Sequence, residues 1–308
     1  MQAIVTERLS HTYGKRRALD NVDLAVEKGE VFGLLGPNGG GKTTLFRILS
    51  TLMPSAEGRS AILGCDCATQ AHAVRRSIGV VFQSPSLDGK LTVWENLRHQ
   101  GHLYGWTGAR LEKRAMEMLE RVGMLERRRD RTEELSGGQR RRVELAKGML
   151  HEPRVLLLDE PSTGLDPGGR RDLWTYLEGI RSQDGVTILV TTHLMREADG
   201  CDRIGILDHG RLVAIGSPDR LKNEIGGDVI TLATDSPGRL AQGIRERFDL
   251  DPDVLEDGVR LECDRGPAFL PDLIEAFSDS IAAATLGKPT LEEVFVHHTG
   301  HRFWSETE

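Results

Sequence analysis

One eight-residue stretch, Gly36-Pro37-Asn38-Gly39-Gly40-Gly41-Lys42-Thr43, limits what this chain can fold into more than any other. It matches G-x-x-x-x-G-K-[ST] at every fixed position. Val31-Phe32-Gly33-Leu34-Leu35 before it reads as a buried strand, and Leu45, Ile48, Leu49 and Leu52 after it recur at helical spacing. Strand, glycine loop and helix in that order make a cradle for nucleotide phosphates, because backbone N–H groups and the positive end of the helix face the anion. Glycines let those N–H groups turn inward without Cβ clashes. Lys42 then reaches the β- and γ-phosphates, and the Thr43 hydroxyl holds Mg²⁺. Glycines alone would also make an ordinary tight turn. The lysine, the threonine and the flanking elements argue against that reading.

At 308 residues the chain has room for one large and one small domain. Its formal charge of −7 gives no global sign of nucleic-acid binding. The charge is uneven: Val229 to Glu308 holds 16 acidic and 7 basic residues, net −9, against 31 acidic and 33 basic before it, net +2. That step predicts a domain boundary near residue 228. Of the basic residues 32 are arginine and 8 lysine, a bias expected of a GC-rich bacterial genome. Cys65, Cys67, Cys201 and Cys263 fit no standard zinc spacing and read as free thiols of a reducing cytoplasm. Met1 to Ser10 lacks the apolar run of a signal peptide, and no stretch nears the roughly 20 apolar residues of a membrane span. Any membrane role is therefore expected to be peripheral and to use another subunit.

Short apolar runs alternate with charges over residues 1–30, as in antiparallel strands. Ile78–Phe82, Val155–Leu158 and Thr187–Val190 read as buried strands that end at Gln83, at Asp159-Glu160 and near His193. Polar groups just beyond strand ends, with helices between, indicate a parallel α/β sheet. Residues of about 84–150 are mostly helical: Thr92-x-x-Glu95 is a capping box, and Leu111, Ala115, Met118, Leu119 and Val122 form a stripe that stops at Gly123. The arginines at 127, 128, 129 and 131 read as a solvated connection, since no aromatics interleave them. Asp166-Pro167 looks like an N-cap with proline at the first helical position. From 229 onward the order becomes β-α-β-β-α-β, with Ile281–Leu286 as the last strand, which suggests a small ferredoxin-like unit. Thr290-x-x-Glu293 then caps a short helix, followed by His297, His298 and His301 as a solvated tail.

Two further motifs carry chemistry. Asp159-Glu160 after four apolar residues suits Mg²⁺ support by Asp159 and water activation by Glu160 one position on. Leu135-Ser136-Gly137-Gly138-Gln139 opens a helix with a capping box, and its glycines bare backbone N–H groups at the positive helix end. By itself the pentapeptide is compatible with a well-capped helix and nothing more. Its place between a phosphate loop and an Asp-Glu strand favours a second anion-binding surface.

With these motifs in order, residues 1–222 resemble the ATP-binding subunits of ABC transporters. The resemblance implies an α/β P-loop NTPase core (residues 1–228) with an antiparallel β subdomain and a helical signature subdomain, followed by a small α+β accessory domain (229–308). It implies that Gly36 through Thr43, together with Thr44, bind ATP and that Tyr13 stacks on adenine. It further implies that Gln83 senses Mg²⁺ and the attacking water, that His193 contacts the γ-phosphate, and that Asp166 ends a loop crossing a dimer interface. Gly40 stands where the family commonly has alanine or serine, a departure expected to cost nothing sterically. In this family the signature, here Ser136 to Gln139, faces ATP held by a second cassette. One loop and one signature per chain thus imply a homodimer with composite sites.

Pro289-Thr290-Leu291-Glu292-Glu293-Val294-Phe295 resembles the tail of daunorubicin-resistance-type ATPases of the ABC-2 exporter group, whose permease is a separate chain. The expected function is thus ATP hydrolysis energising an exporter of drugs or antibiotics. The same engine exporting lipid, polysaccharide or sodium is the alternative within transport. A soluble ABC ATPase of repair or translation is the alternative class. Repair types carry long coiled-coil insertions, whereas 94 positions without heptads separate Lys42 from Ser136 here. Trp94, Leu97, Leu103, Tyr104 and Trp106 supply apolar area for a permease contact, some of it core.

Overall fold

Alternating apolar and polar residues make the first segment a long antiparallel hairpin, β1 (Gln2–Tyr13) and β2 (Arg16–Glu27). In the computed structural model, which describes residues 1–263, 265–301 and 303, this hairpin extends through β4 (Glu57–Ile62) and β5 (Cys65–Asp66) into a sheet of order β2-β1-β4-β5. Its inward face contributes Ile4, Leu9, Val22 and Val26 to the main core. The second sheet is built from β3 (Val31–Leu35), β6 (Ile78–Val81), β7 (Val155–Asp159), β8 (Thr187–Thr192), β9 (Arg203–Asp208) and β10 (Arg211–Gly216), in the order β10-β9-β3-β8-β7-β6. All neighbours are parallel except β9 and β10. Every residue of β3, β7 and β8 is buried, the usual state of parallel strands covered on both faces.

Helices α1 (Lys42–Leu49) and α2 (Ala71–Ser77) precede the helical segment α3 (Val93–Leu103), α4 (Gly108–Arg121) and α5 (Gly137–Met149). The capping box at Thr92 forms as the sequence predicts: Thr92 N donates to Glu95 Oε2 at 2.8 Å, and Glu95 N to Thr92 Oγ1 at 3.2 Å. The α4 stripe Leu111, Ala115, Met118 and Leu119 is buried. A Cβ at Gly101 would collide with Leu111, so this glycine lets α3 and α4 approach. Leu52, expected on the inner face of α1, lies past the helix end and is 60% exposed, because the chain turns at Thr51 with φ of 60°. Leu97 is core, Trp94, Tyr104 and Trp106 are half-buried, and Leu103 is 82% exposed. The unit continues through α6 (Pro167–Asp184) and α7 (Met195–Ala198).

His151 joins the helical segment to the sheet. Its Nε2 lies 2.8 Å from the Ile78 carbonyl, and its ring stacks on Tyr104 at 3.7 Å. Burial lowers its pKa to about 4. The unfolded chain binds this proton near pH 6.5 and the folded chain near 4, so stability falls as pH drops through that window. The loss is expected to reach roughly 2 kcal/mol by pH 5. His151→Phe should flatten the acid limb of a urea-unfolding series between pH 6.5 and 4; an unchanged slope would assign it to other groups.

The chain divides into compact units at Gly216/Ser217, ahead of the charge step at residue 228. Packing explains the difference. Helix α8 (Pro218–Ile225) seats Leu221 with the second unit, against α11 (Leu291–Thr299) and its buried Leu291, Val294 and Phe295. Between them run β11 (Asp228–Ala233), α9 (Pro237–Phe248), β12 (Asp253–Val254), β13 (Gly258–Cys263), α10 (Gly266–Ala276) and β14 (Ala283–Gly287). The order is the β-α-β-β-α-β read from the sequence, and the sheet is antiparallel throughout, β12-β13-β11-β14. Ile230, Leu232, Val259 and Leu261 meet Leu240, Ile244 and Leu273 from the two helices. On the other sheet face Arg260 pairs with Glu293 of α11. His297 and His298 are solvent-exposed, in the last turn of α11 rather than in a tail beyond it. His301 packs edge-on against Phe295.

Candidate active site

The phosphate loop runs from the end of β3 to the start of α1, and its glycines answer to close neighbours. A Cβ at Gly36 would strike the Leu207 carbonyl, and Gly41 holds φ of 110° against the Ala18 carbonyl. At Gly40 a Cβ would come within 3.0 Å of Leu207 O, so an alanine there would force its neighbours to give slightly. Lys42 is 4% exposed and donates to the carbonyls of Gly36 at 2.7 Å and Pro37 at 3.0 Å. Burial lowers its pKa, with Glu160 and then Asp159 opposing. Thr43 is exposed in the first turn of α1, whereas Thr44 is buried.

Three groups expected to act with Glu160 converge on it. Its Oε2 accepts from Gln83 Nε2 at 3.2 Å and lies 3.2 Å from His193 Nδ1, while its Oε1 is 3.6 Å from Lys42 Nζ. Thr163 Oγ1 adds a longer contact of 3.4 Å. Glu160 adopts φ of 43°, a left-handed backbone that costs a non-glycine residue about 1–3 kcal/mol. Thr191 on β8 holds it there through its carbonyl and hydroxyl, both accepting from Glu160 N. The same Thr191 hydroxyl donates to Asp159 Oδ1 at 2.6 Å. Burial pushes the Asp159 carboxyl up, and that hydrogen bond opposes it. A nearby dication would reverse the burial effect. The hard oxygens of Thr43, Asp159 and Gln83 are the donor type that Mg²⁺ takes.

Gln83 is positioned from the signature helix. Arg141 on α5 donates to Phe82 O at 2.7 Å and Gln83 O at 3.2 Å. Glu144 pairs with Arg141 at 3.1 Å and accepts from Ser86 N at 2.5 Å, and Lys147 donates to Ser86 O at 2.8 Å. Arg141 and Glu144 are both buried. The sequence reading missed this pair, which shows only as i, i+3 charges within an arginine-rich helix.

At the head of α5, Ser136 forms its capping box: Ser136 N donates to Gln139 Oε1 at 2.9 Å and Gln139 N to Ser136 Oγ at 3.3 Å. Among the described residues no side chain crowds Gly137. These residues open onto a cavity of about 980 Å³ shared with Leu165, Asp166 and Tyr176, and Lys42, Asp159 and Glu160 do not line it. The signature and the phosphate loop of one chain therefore face different spaces. Asp166 caps α6, accepting from Gly169 N at 3.1 Å. Tyr13 is 45% exposed at the tip of the β1–β2 hairpin, with its hydroxyl 3.3 Å from Met53 Sδ. Arg16 beside it donates to Gly39 O at 3.0 Å and ties that tip to the phosphate loop. Arg16 and Thr191 were not picked out from the sequence. Thr191 gains its place only from strand register, opposite Asp159.

A nucleotide loop, an Asp-Glu strand end and a separate capped signature on an α/β core define an ABC-type ATPase cassette. The ABC transporter family matches residues 19–163. The Daunorubicin resistance ATP-binding protein DrrA3 of Streptomyces coeruleorubidus is 40% identical over 97% of this chain and 96% of its own length. The Linearmycin resistance ATP-binding protein LnrL of Bacillus subtilis (strain 168) is 34% identical over 96% of this chain and 97% of its own. A solved dimeric ATP-binding cassette bound to ADP and Pi superposes with a TM-score of 0.64 at 29% identity, covering 70% of this chain and 98% of that one. The chain belongs to the ATP-binding subunits of ABC transporters and is an ATPase. Cassettes of this family work as dimers beside transmembrane partners. Among the described residues no helix is long and apolar enough to cross a membrane.

Proposed function

We propose that this chain is the ATP-hydrolysing subunit of an ABC-2 exporter of drugs or antibiotics, a homodimer on the cytoplasmic face of a bacterial membrane beneath a separate permease. The observation that carries the ATPase chemistry is the convergence of Lys42, Gln83 and His193 on Glu160. In this reading Tyr13 stacks on adenine and Gly36–Thr43 wrap the phosphates of ATP. Lys42 leaves its loop carbonyls for the β- and γ-phosphates. Ser136 and Gly138 of the second copy close over the γ-phosphate, a reading supported by the separate outlook of the two motifs. Glu160 takes a proton from the attacking water, which Gln83 orients, while Lys42 and His193 stabilise charge developing on the phosphoryl oxygens. Thr43, Asp159 and Gln83 would hold Mg²⁺, which would supply positive charge beside the phosphates.

The export assignment rests on the near-full-length likeness to drug-resistance subunits, which includes the second unit. Co-purification with a multi-span permease in detergent, with ATPase activity stimulated by daunorubicin or linearmycin, is the expected result. Stimulation by lipid or sodium alone would reassign the cargo. ATP turnover in cells with no membrane-bound fraction would place the chain outside transport.

A further inference from the structure

We propose that the second unit pairs with its counterpart in another copy through β14, edge to edge, forming one continuous eight-stranded sheet about a two-fold axis at Thr285. The sheet has two edges, and they differ. β12 is two residues long and carries Asp253, which is paired to Arg260; short, charged edges resist pairing. β14 is five residues long, Ala283-Ala284-Thr285-Leu286-Gly287, and nothing between Ser280 and Gly287 is charged. Four of its five residues are exposed, Leu286 among them.

The direction of its backbone groups follows from β11. Thr234 N donates to Asp257 O, so the polar groups of Ile230 and Leu232 face β13 and those of Thr231 and Ala233 face β14. Thr231 pairs with Thr285 and Ala233 with Ala283. The groups of β14 that point away from the sheet are therefore those of Ala284 and Leu286. A two-fold axis through Thr285 sets Ala284 opposite Leu286 of the second copy and Leu286 opposite its Ala284. Those two pairs exchange four N–H···O bonds, and the small Ala284 leaves room for the larger Leu286. Thr285 then meets Thr285 at a non-hydrogen-bonded position, where side chains lie closest. An isologous interface demands this self-complementarity.

Charge selects the same edge. Residues 229–308 carry net −9, so two copies repel over most of this surface, and β14 is a strip where they can meet without opposed carboxylates. Dimeric cassettes of this family also bring a second copy near, which raises its effective concentration at the edge.

Full-length chain without nucleotide provides the test, so a negative result leaves the ATP-dependent dimer untouched. Opposed residues at a non-hydrogen-bonded pair stand about 4.5 Å apart at Cα, within disulfide range. In a background with Cys65 and Cys263 replaced by serine, Thr285→Cys should oxidise to a covalent dimer at least tenfold faster than Glu275→Cys, which is exposed on α10. Thr285→Glu and Thr285→Arg should each lose the dimer seen by light scattering, and their equimolar mixture should regain it. Thr285 is exposed, so neither charge disturbs the fold. Equal rates of oxidation at 285 and 275, or charge variants that scatter like the parent both alone and mixed, would overturn the pairing.

Discussion

Glu160→Gln should bind ATP yet turn it over at least about 10²-fold more slowly, the usual scale for removing a general base. The amide keeps the shape of the carboxylate and one acceptor oxygen, so contacts with Gln83 and Thr163 can persist. What disappears is the charge that would take the proton from water. Lys42 also loses the larger of the two carboxylates that oppose its burial, so its affinity for a proton falls further until phosphate arrives. ATP should therefore bind without being consumed, and the two-copy state should accumulate. Steady-state phosphate release and light scattering with saturating MgATP measure both effects. Turnover near the parent rate would move water activation to another residue. A variant that stays monomeric with ATP would sink the composite site, since the cavity at Ser136–Gln139 would then have no second phosphate loop to cover.

How far the sequence carried this reading depended on whether the information was local. The strand–glycine loop–helix frame at Gly36–Thr43, the capping boxes at Thr92, Ser136 and Thr290, and the β-α-β-β-α-β rhythm are set by neighbours a few residues apart, and these elements form as read. Features set by packing were not legible. The tie from Thr191 to Asp159 exists because β8 lies beside β7 in register, which no spacing reveals. Leu52 fits a helical stripe but falls after a left-handed Thr51 that ends the helix. The charge step near 228 tracks composition, whereas the boundary at 216 follows Leu221, whose burial belongs to the second unit. Asp166, read as the N-cap of a helix, forms that cap.

Arg141→Met should cost about 3–5 kcal/mol, because it strands Glu144 as an unpaired charge in the interior. Arg141 is 7% exposed and Glu144 4%, so water reaches neither well. Burial already lowers the Arg141 pKa and raises that of Glu144, and each charge is sustained partly by the other. Without Arg141 the Glu144 carboxyl moves further up, so the deficit should shrink as pH falls toward the carboxylate range and protonation removes the stranded charge. At neutral pH the melting temperature should drop by about 10 °C. Arg141→Met with Glu144→Leu should recover most of that loss, since apolar residues of similar volume often replace a buried pair at little cost. The recovery should not extend to activity. Phe82 O and Gln83 O lose their donor and Ser86 N its acceptor, so the segment that aims Gln83 at Glu160 is no longer held from α5. A stable double variant with kcat reduced about tenfold and KM for ATP unchanged would separate this positioning role from simple support of the fold. Parent kcat in that stable double variant would mean that Lys147 and the loop itself suffice to place Gln83.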